Sequence, residues 1–170
     1  MSELVSTCMQ SSLGMIEIAG SDDGIASIEF VERGEIDNRA PDCLADGVRQ
    51  LQEYFAGARK EFSCKLDLRG TEFQKRVWEK LLTIPFGKTQ SYLDVAFALG
   101  DKKSIRAVGR ANGQNPIVIV VPCHRVIGSD GSLTGYGGGL WRKEWLLNFE
   151  GSRPQTSMFD ARQETIHASR

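Results

Sequence analysis

The chain has 170 residues, 41% of them hydrophobic and 25% charged, with a net charge of −1. That is enough for one or two small domains with a packed core. No apolar run reaches the length of a membrane span, and the first ten residues hold Glu3 but no basic residue ahead of an apolar stretch, so they do not read as a secretory signal.

Four scattered cysteines, Cys8, Cys43, Cys64 and Cys123, share no repeated spacing and read as free thiols in a reducing compartment, cytosol or nucleus. Charge is uneven along the chain. Residues 1–70 carry 7 Lys/Arg against 13 Asp/Glu, a net of −6, whereas residues 71–151 carry 11 against 7, a net of +4. Only the second half is suited to meet a polyanion.

In chain order, residues 14–31 alternate. Ile16 and Ile18 share one face, Ala26, Ile28 and Phe30 share another, and Gly20–Gly24 supplies turn chemistry, which predicts a β-hairpin. Leu44, Val48, Leu51 and Phe55 fall on one face of a helix over 41–55 that Gly57 ends. Phe62, Cys64, Leu66 and Leu68 alternate as a third strand would. The expected first domain, 1–69, is thus a three-stranded sheet plus a helix.

Thr71 and Gln74 form a capping box that starts a helix with Phe73, Val77, Trp78, Leu81 and Leu82 on its buried side. Ile84-Pro85-Phe86-Gly87 stops it. Ser91 and Asp94 form a second box, opening a short helix that Gly100 ends. A third helix follows from about Lys102 to Asn112, giving a helix-turn-helix pattern. Lys102, Lys103, Arg106 and Arg110 make this third helix basic, and Ala107, Gly109, Ala111 and Gly113 keep it thin. Glycine costs a helix about 1 kcal/mol relative to alanine. Close packing on a neighbouring helix and close approach to a DNA groove are both adequate reasons for it. The expected second domain is therefore mostly helical, spans 70–151, and leaves 152–170 as a polar, flexible tail.

Ile117 to Val121 is an apolar run of five β-branched residues that leads into Pro122-Cys123-His124-Arg125-Val126. It reads as a buried strand that proline terminates, delivering a cysteine to a fixed place beside one of the chain's two histidines. A thiol next to an imidazole can form a thiolate near neutral pH.

This segment, with Arg106-Ala107-Val108-Gly109 and Asn115-Pro116 before it and Gly135-Tyr136 and Arg142 to Leu147 after it, resembles the O6-alkylguanine-DNA alkyltransferases, or methylated-DNA–protein-cysteine methyltransferases. The resemblance covers residues 71–151 closely. It implies an α+β fold with a short active-site strand and irreversible transfer of an alkyl group from O6-alkylguanine in double-stranded DNA to Cys123. O4-alkylthymine is a second candidate substrate.

By resemblance, His124 draws the thiol proton through a water, Glu144 holds His124, Tyr92 donates to the leaving guanine, and Asn115 braces the turn. Tyr136 and Gly137 belong to the loop over the extruded base. Relatives often carry a hydroxyl residue where this chain has Gly137. Arg106 fills the gap left by the flipped base, and Ala107, Arg110, Lys102, Lys103, Arg125 and Val126 complete the expected substrate and DNA contacts. The resemblance implies a monomer that needs no cofactor. Some relatives hold zinc, but histidines only at 124 and 167 and widely spaced cysteines give no expected metal site here.

A zinc deaminase would need His-x-Glu and Cys-x-x-Cys, both missing from this sequence. A lesion-sensing binding protein of the same lineage would lack the acceptor cysteine.

Overall fold

The computed structural model describes residues 2–152. The tail beyond Ser152, with His167 and the flexibility expected of it, lies outside the described residues.

Three antiparallel strands, β1 (Val5–Ser11), β2 (Gly14–Ser21) and β3 (Gly24–Val31), form a meander in that order. The expected hairpin is β2–β3. Its turn is closed by the Asp23 N–H, which donates to Ser21 Oγ at 3.1 Å. Ile16, Ile18 and Ile28 are fully buried on the inner face.

The third strand is not the one expected. β1 completes the sheet, although its sequence is mostly polar outside Val5, Cys8 and Met9. Residues 62–68 make only a bridge to Ile25, whose N–H donates to Lys65 O at 2.9 Å and whose carbonyl accepts from Asp67 N–H at 2.8 Å. The alternation there reflects burial, since Phe62, Cys64, Leu66 and Leu68 pack on the core. The segment, however, meets β3 at one residue and has no strand edge to run along. Helix α1 (Asp42–Phe55) covers the sheet with Leu44, Leu51 and Tyr54.

Both capping boxes form. Thr71 Oγ1 accepts from Gln74 N–H at 3.1 Å and starts α2 (Glu72–Leu81). Ser91 Oγ accepts from Asp94 N–H at 3.0 Å and starts α3 (Tyr92–Ala98). Just before α3, strand β4 (Gln90–Ser91) pairs in parallel with β5 (Val126–Ile127). This pairing brings the start of α3 beside the Cys123 segment.

A 3-10 turn (Lys102–Ser104) then leads into α4 (Ile105–Gly113), three residues later than predicted. Trp78 of α2 is buried and satisfies its indole N–H on Ala111 O of α4 at 2.9 Å. Helix α5 (Leu140–Phe149) closes the chain. A single apolar cluster runs from Met9 and Ile18 through Leu51 and Trp78 to Val126 and Leu146, so both halves share one core.

The predicted strand at 117–121 is absent. Ile117 forms one bridge to Ile28, and the chain then coils: Val121 N–H donates to Ile117 O at 3.0 Å and Val120 N–H to Val118 O at 2.8 Å. Ile119 sits at φ 73, an uncommon conformation for a β-branched residue. Burial on every side, rather than pairing, accounts for the apolar run, since Ile117, Ile119 and Val121 have no exposed surface.

Packing does not require the glycines of α4. A Cβ on Gly109 would lie 3.9 Å from Tyr92, an ordinary contact, and one on Gly113 would meet nothing within 4 Å.

Candidate active site

Cys123, His124 and Arg125 form one turn of 3-10 helix after Pro122, and all three are buried. Asn115 takes over the bracing that a strand ladder would have given. Its Nδ2 donates to Val121 O at 2.8 Å, and its Oδ1 accepts from Ile117 N–H at 2.9 Å. Asn112 Nδ2 donates to Cys123 O at 3.3 Å. Burial pushes the Cys123 thiol up, and the Asn115 side chain and the Lys143 charge offset part of that rise. The resting sulfur is therefore a thiol that needs a base.

That base is built from both ends of the chain. His124 Nε2 lies 2.8 Å from Glu150 Oε1, not against Glu144 as expected. Glu144 and Glu150 stand six residues apart at about 100° per residue, so their side chains leave α5 in different directions. Glu150, just past the last residue of α5, is the one that points inward, and its side chain has no exposed surface.

Arg125 clamps the same carboxylate, with Nε to Oε2 at 2.8 Å and Nη2 to Oε1 at 2.9 Å, while Nη1 donates to Ile84 O at 2.7 Å. Tyr54 O–H from α1 donates to Oε1 at 2.7 Å. Burial alone would raise the Glu150 carboxyl, but the His124 and Arg125 hydrogen bonds win and bring it down to about 2. An ionised carboxylate accepts only, so Nε2 carries the hydrogen and Nδ1 holds the basic lone pair. Nδ1 is buried with no hydrogen-bond partner among the described residues. Burial also lowers the His124 pKa, partly against Glu150, so the imidazole rests uncharged.

A second polar cluster faces this one. Tyr92 O–H donates to Thr134 O at 3.0 Å, and Lys143 Nζ donates to that carbonyl at 3.0 Å and to the phenol oxygen at 3.5 Å. Lys143 is fully buried, and the sequence reading did not single it out. Burial raises the Tyr92 phenol, so at neutral pH it is a proton donor.

Cys123 borders a cavity of about 30 Å³ lined by Asn112, Asn115, Val118, Tyr136 and Gly137, among others. Besides His124 Nδ1, Asn112 Oδ1 and the Tyr136 hydroxyl are buried and unpaired among the described residues. Gly113 and Gly135 also border a wider groove of about 410 Å³ lined by Tyr92, Ile105, Arg106, Gly109 and Thr134. A Cβ on Gly138 would come within 2.8 Å of Phe30, so the loop passes tight against β3 there, whereas Gly137 has room for a side chain.

The structure thus brings together Cys123, His124, Asn115, Tyr92, Tyr136 and Gly137. Arg106, Ala107, Arg110, Lys102 and Lys103 lie exposed on and before α4. Arg125 and Val126 are not available to DNA, being 6% and 0% exposed, and Arg125 serves the carboxylate instead. The sequence did carry a signal for Glu150: an acidic residue at a helix C-terminus opposes the helix dipole and requires nearby cations.

Known proteins resemble this chain along almost all of its described residues. The family profile described as 6-O-methylguanine DNA methyltransferase, DNA binding domain, matches residues 72–152, and the profile for its ribonuclease-like domain matches residues 4–68. A methylated-DNA–protein-cysteine methyltransferase of Mycolicibacterium paratuberculosis is 50% identical over 147 residues, covering 84% of this chain and 89% of that protein. Its Methanosarcina acetivorans counterpart is 47% identical, covering 84% and 96%. The crystal structure of Mycobacterium tuberculosis OGT in complex with DNA is 47% identical, with a TM-score of 0.78, covering 86% of this chain and 93% of that one.

Removing one partner of a buried ion pair costs about 3–5 kcal/mol. Glu150→Gln should therefore destabilise the protein by that order at pH 7 in urea unfolding, and Glu144→Gln by less than about 1 kcal/mol. The sign with pH is fixed. The unfolded chain binds a proton at His124 near 6.5 and at Glu150 near 4.5, while the native site resists both. Stability should fall below pH 6.5 and again between 4.5 and 2, and over the second window the gap between wild type and Glu150→Gln should close.

Proposed function

Since the chain belongs to the 6-O-methylguanine DNA methyltransferase family, we propose that it repairs DNA by direct reversal, moving the alkyl group of O6-alkylguanine onto Cys123, once per molecule. The observation that carries this reading is a buried thiol next to an uncharged imidazole. A buried carboxylate fixes the imidazole's tautomer, and the whole sits beside a groove on a thin basic helix.

The step balances with two reactants. The thiol proton passes to His124 Nδ1, through a water where direct contact is lacking. Sulfur attacks the alkyl carbon, the carbon–O6 bond breaks, and the guanine oxygen leaves as negative charge builds on it. Tyr92, with Lys143 beside its oxygen, supplies the hydrogen bond or proton to that leaving group. The thioether product is stable, and no further reactant is needed to form it.

A cavity of about 30 Å³ holds no more than a water. A flipped purine therefore occupies the groove side, with the 135–137 backbone moving to admit it, and Asn112 Oδ1 and the Tyr136 hydroxyl then gain partners. The glycines of α4 fit the groove reading because packing within the protein does not demand them. Arg106, at the groove's rim, takes the place of the flipped base. Residues 70–151 do the binding and chemistry, and 1–69 supports them. The protein acts as a monomer on DNA in the cytoplasm, or in the nucleus of a eukaryote.

Mixed with a duplex holding one O6-methylguanine, the intact protein should gain one methyl, mapped to Cys123 and stopping at one. Cys123→Ser should gain none yet still bind. Selective binding without any mass gain in the wild type would favour a lesion sensor.

Flipping a base costs a few kcal/mol. Arg106→Ala should therefore slow transfer from duplex at least about tenfold while leaving transfer from the free alkylated base nearly unchanged. Equal slowing of both would remove Arg106 from that role.

Gly109→Ala should leave the fold intact or raise its stability by up to about 1 kcal/mol. It should also weaken DNA binding about tenfold, the equivalent of 1.4 kcal/mol. Unchanged affinity in a binding titration would return this glycine to the packing explanation.

A further inference from the structure

Among the described residues, the hydroxyl of Tyr54 makes the hydrogen bond that joins α1 to the carboxylate behind the base, across a separation of 96 residues. It is unusually well enforced. Tyr54 has no exposed surface. Its ring is boxed by Phe55, Phe62, Phe86 and Phe149, with centroids 5.3–6.2 Å away.

Glu150 Oε1 accepts from Tyr54, from His124 and from Arg125 Nη2, whereas Oε2 accepts from Arg125 Nε. Arg125 already grips both oxygens, so the carboxylate is oriented without the phenol. What the phenol adds is a competing donor on the very oxygen that His124 uses. Each donor on an acceptor draws off charge that the others would otherwise share. Tyr54 therefore weakens the pull of Glu150 on a protonated imidazole.

We propose that Tyr54 is a positioning residue of the alkyl-transfer site, through which the N-terminal half keeps His124 uncharged and ready to accept the thiol proton. This rests on the transfer reading above. The other charged groups acting on His124 are Glu150 itself, Arg125 on the same turn and Lys143 of α5. The two cations already oppose its protonation, and Tyr54 adds to them through the carboxylate oxygen that His124 uses.

Two variants test this. Tyr54→Phe keeps the ring and deletes the donor; 3,5-difluorotyrosine at position 54 keeps the shape and strengthens the donor. With histidines only at 124 and 167, imidazole NMR titration resolves His124 readily. Its midpoint should rise by about one unit in Tyr54→Phe, the equivalent of one hydrogen bond to a charged group, and fall in the fluorinated protein. The acid limb of the methyl-transfer rate should move the same way in each.

A purely structural tyrosine would lower the melting temperature of Tyr54→Phe and leave both midpoints in place, and that result would overturn the proposal. The NMR titration needs no alkyl donor. Shifted midpoints in a protein that never gains a methyl would sink the transfer reading alone, while unmoved midpoints in a protein that does would sink only the role of Tyr54.

Discussion

Everything in the site hangs on a buried carboxylate. Taking Glu150 out of water is costly, and placing it at the end of a helix adds the repulsion of the dipole. The cost is met by three residues from two distant stretches of chain: Tyr54, and the neighbours His124 and Arg125. The three are satisfied together only when α1, α5 and the Cys123 turn are all in place. The same hydrogen bonds that hold the two halves on one core also fix the tautomer of the base, so fold and chemistry share an energetic centre. This also accounts for the burial of Arg125. A cation beside the reactive thiol looks like a DNA contact in sequence, but its charge is committed inward.

The second constraint is local. A thiol must be presented to a cavity from a rigid backbone, yet the chain leading to it is not a strand. Tight turns at Val118–Val121, a positive φ at Ile119 and the two-sided grip of Asn115 hold it instead. Such a path leaves backbone groups that no ladder satisfies, which is why an asparagine able both to donate and to accept stands at its start. The β-branched run supplies rigidity through burial. Its full enclosure offsets the strain at Ile119.

How much of this was legible in the sequence follows from the range of each signal. Capping boxes at Thr71 and Ser91 depend on residues three apart, and both form as read. The amphipathic faces of α1 and α2 were equally legible. Strand membership was not, because it depends on partners elsewhere: the segment 62–68 alternates like a strand without an edge to pair with, while β1 pairs despite its polar sequence. The run 117–121 misled for a related reason, since composition reports burial and not pairing. At the site, the Cys123–His124 neighbours were visible as a pair. Their partner was misplaced by six residues because the choice between Glu144 and Glu150 is made by the direction in which α5 docks. Lys143 was missed altogether; lysines are seldom fully buried, and nothing local marks this one.

The resting state of the site also fits a protein that reacts once. Burial holds the thiol protonated and the imidazole uncharged, so the pair is poorly reactive towards chance electrophiles from solvent. Activation then has to come with the substrate. On the transfer reading proposed above, a purine entering from the α4 groove would displace the 135–137 backbone, give the Asn112 and Tyr136 atoms their partners and bring the alkyl carbon to sulfur in a dry enclosure, where the Lys143 and Tyr92 dipoles act at full strength. A catalyst that turned over would need to release its product and regenerate the thiol, and a tightly closed cavity would hinder both. For a single transfer neither is required, and tight enclosure serves only to keep the cysteine unspent until the right base arrives.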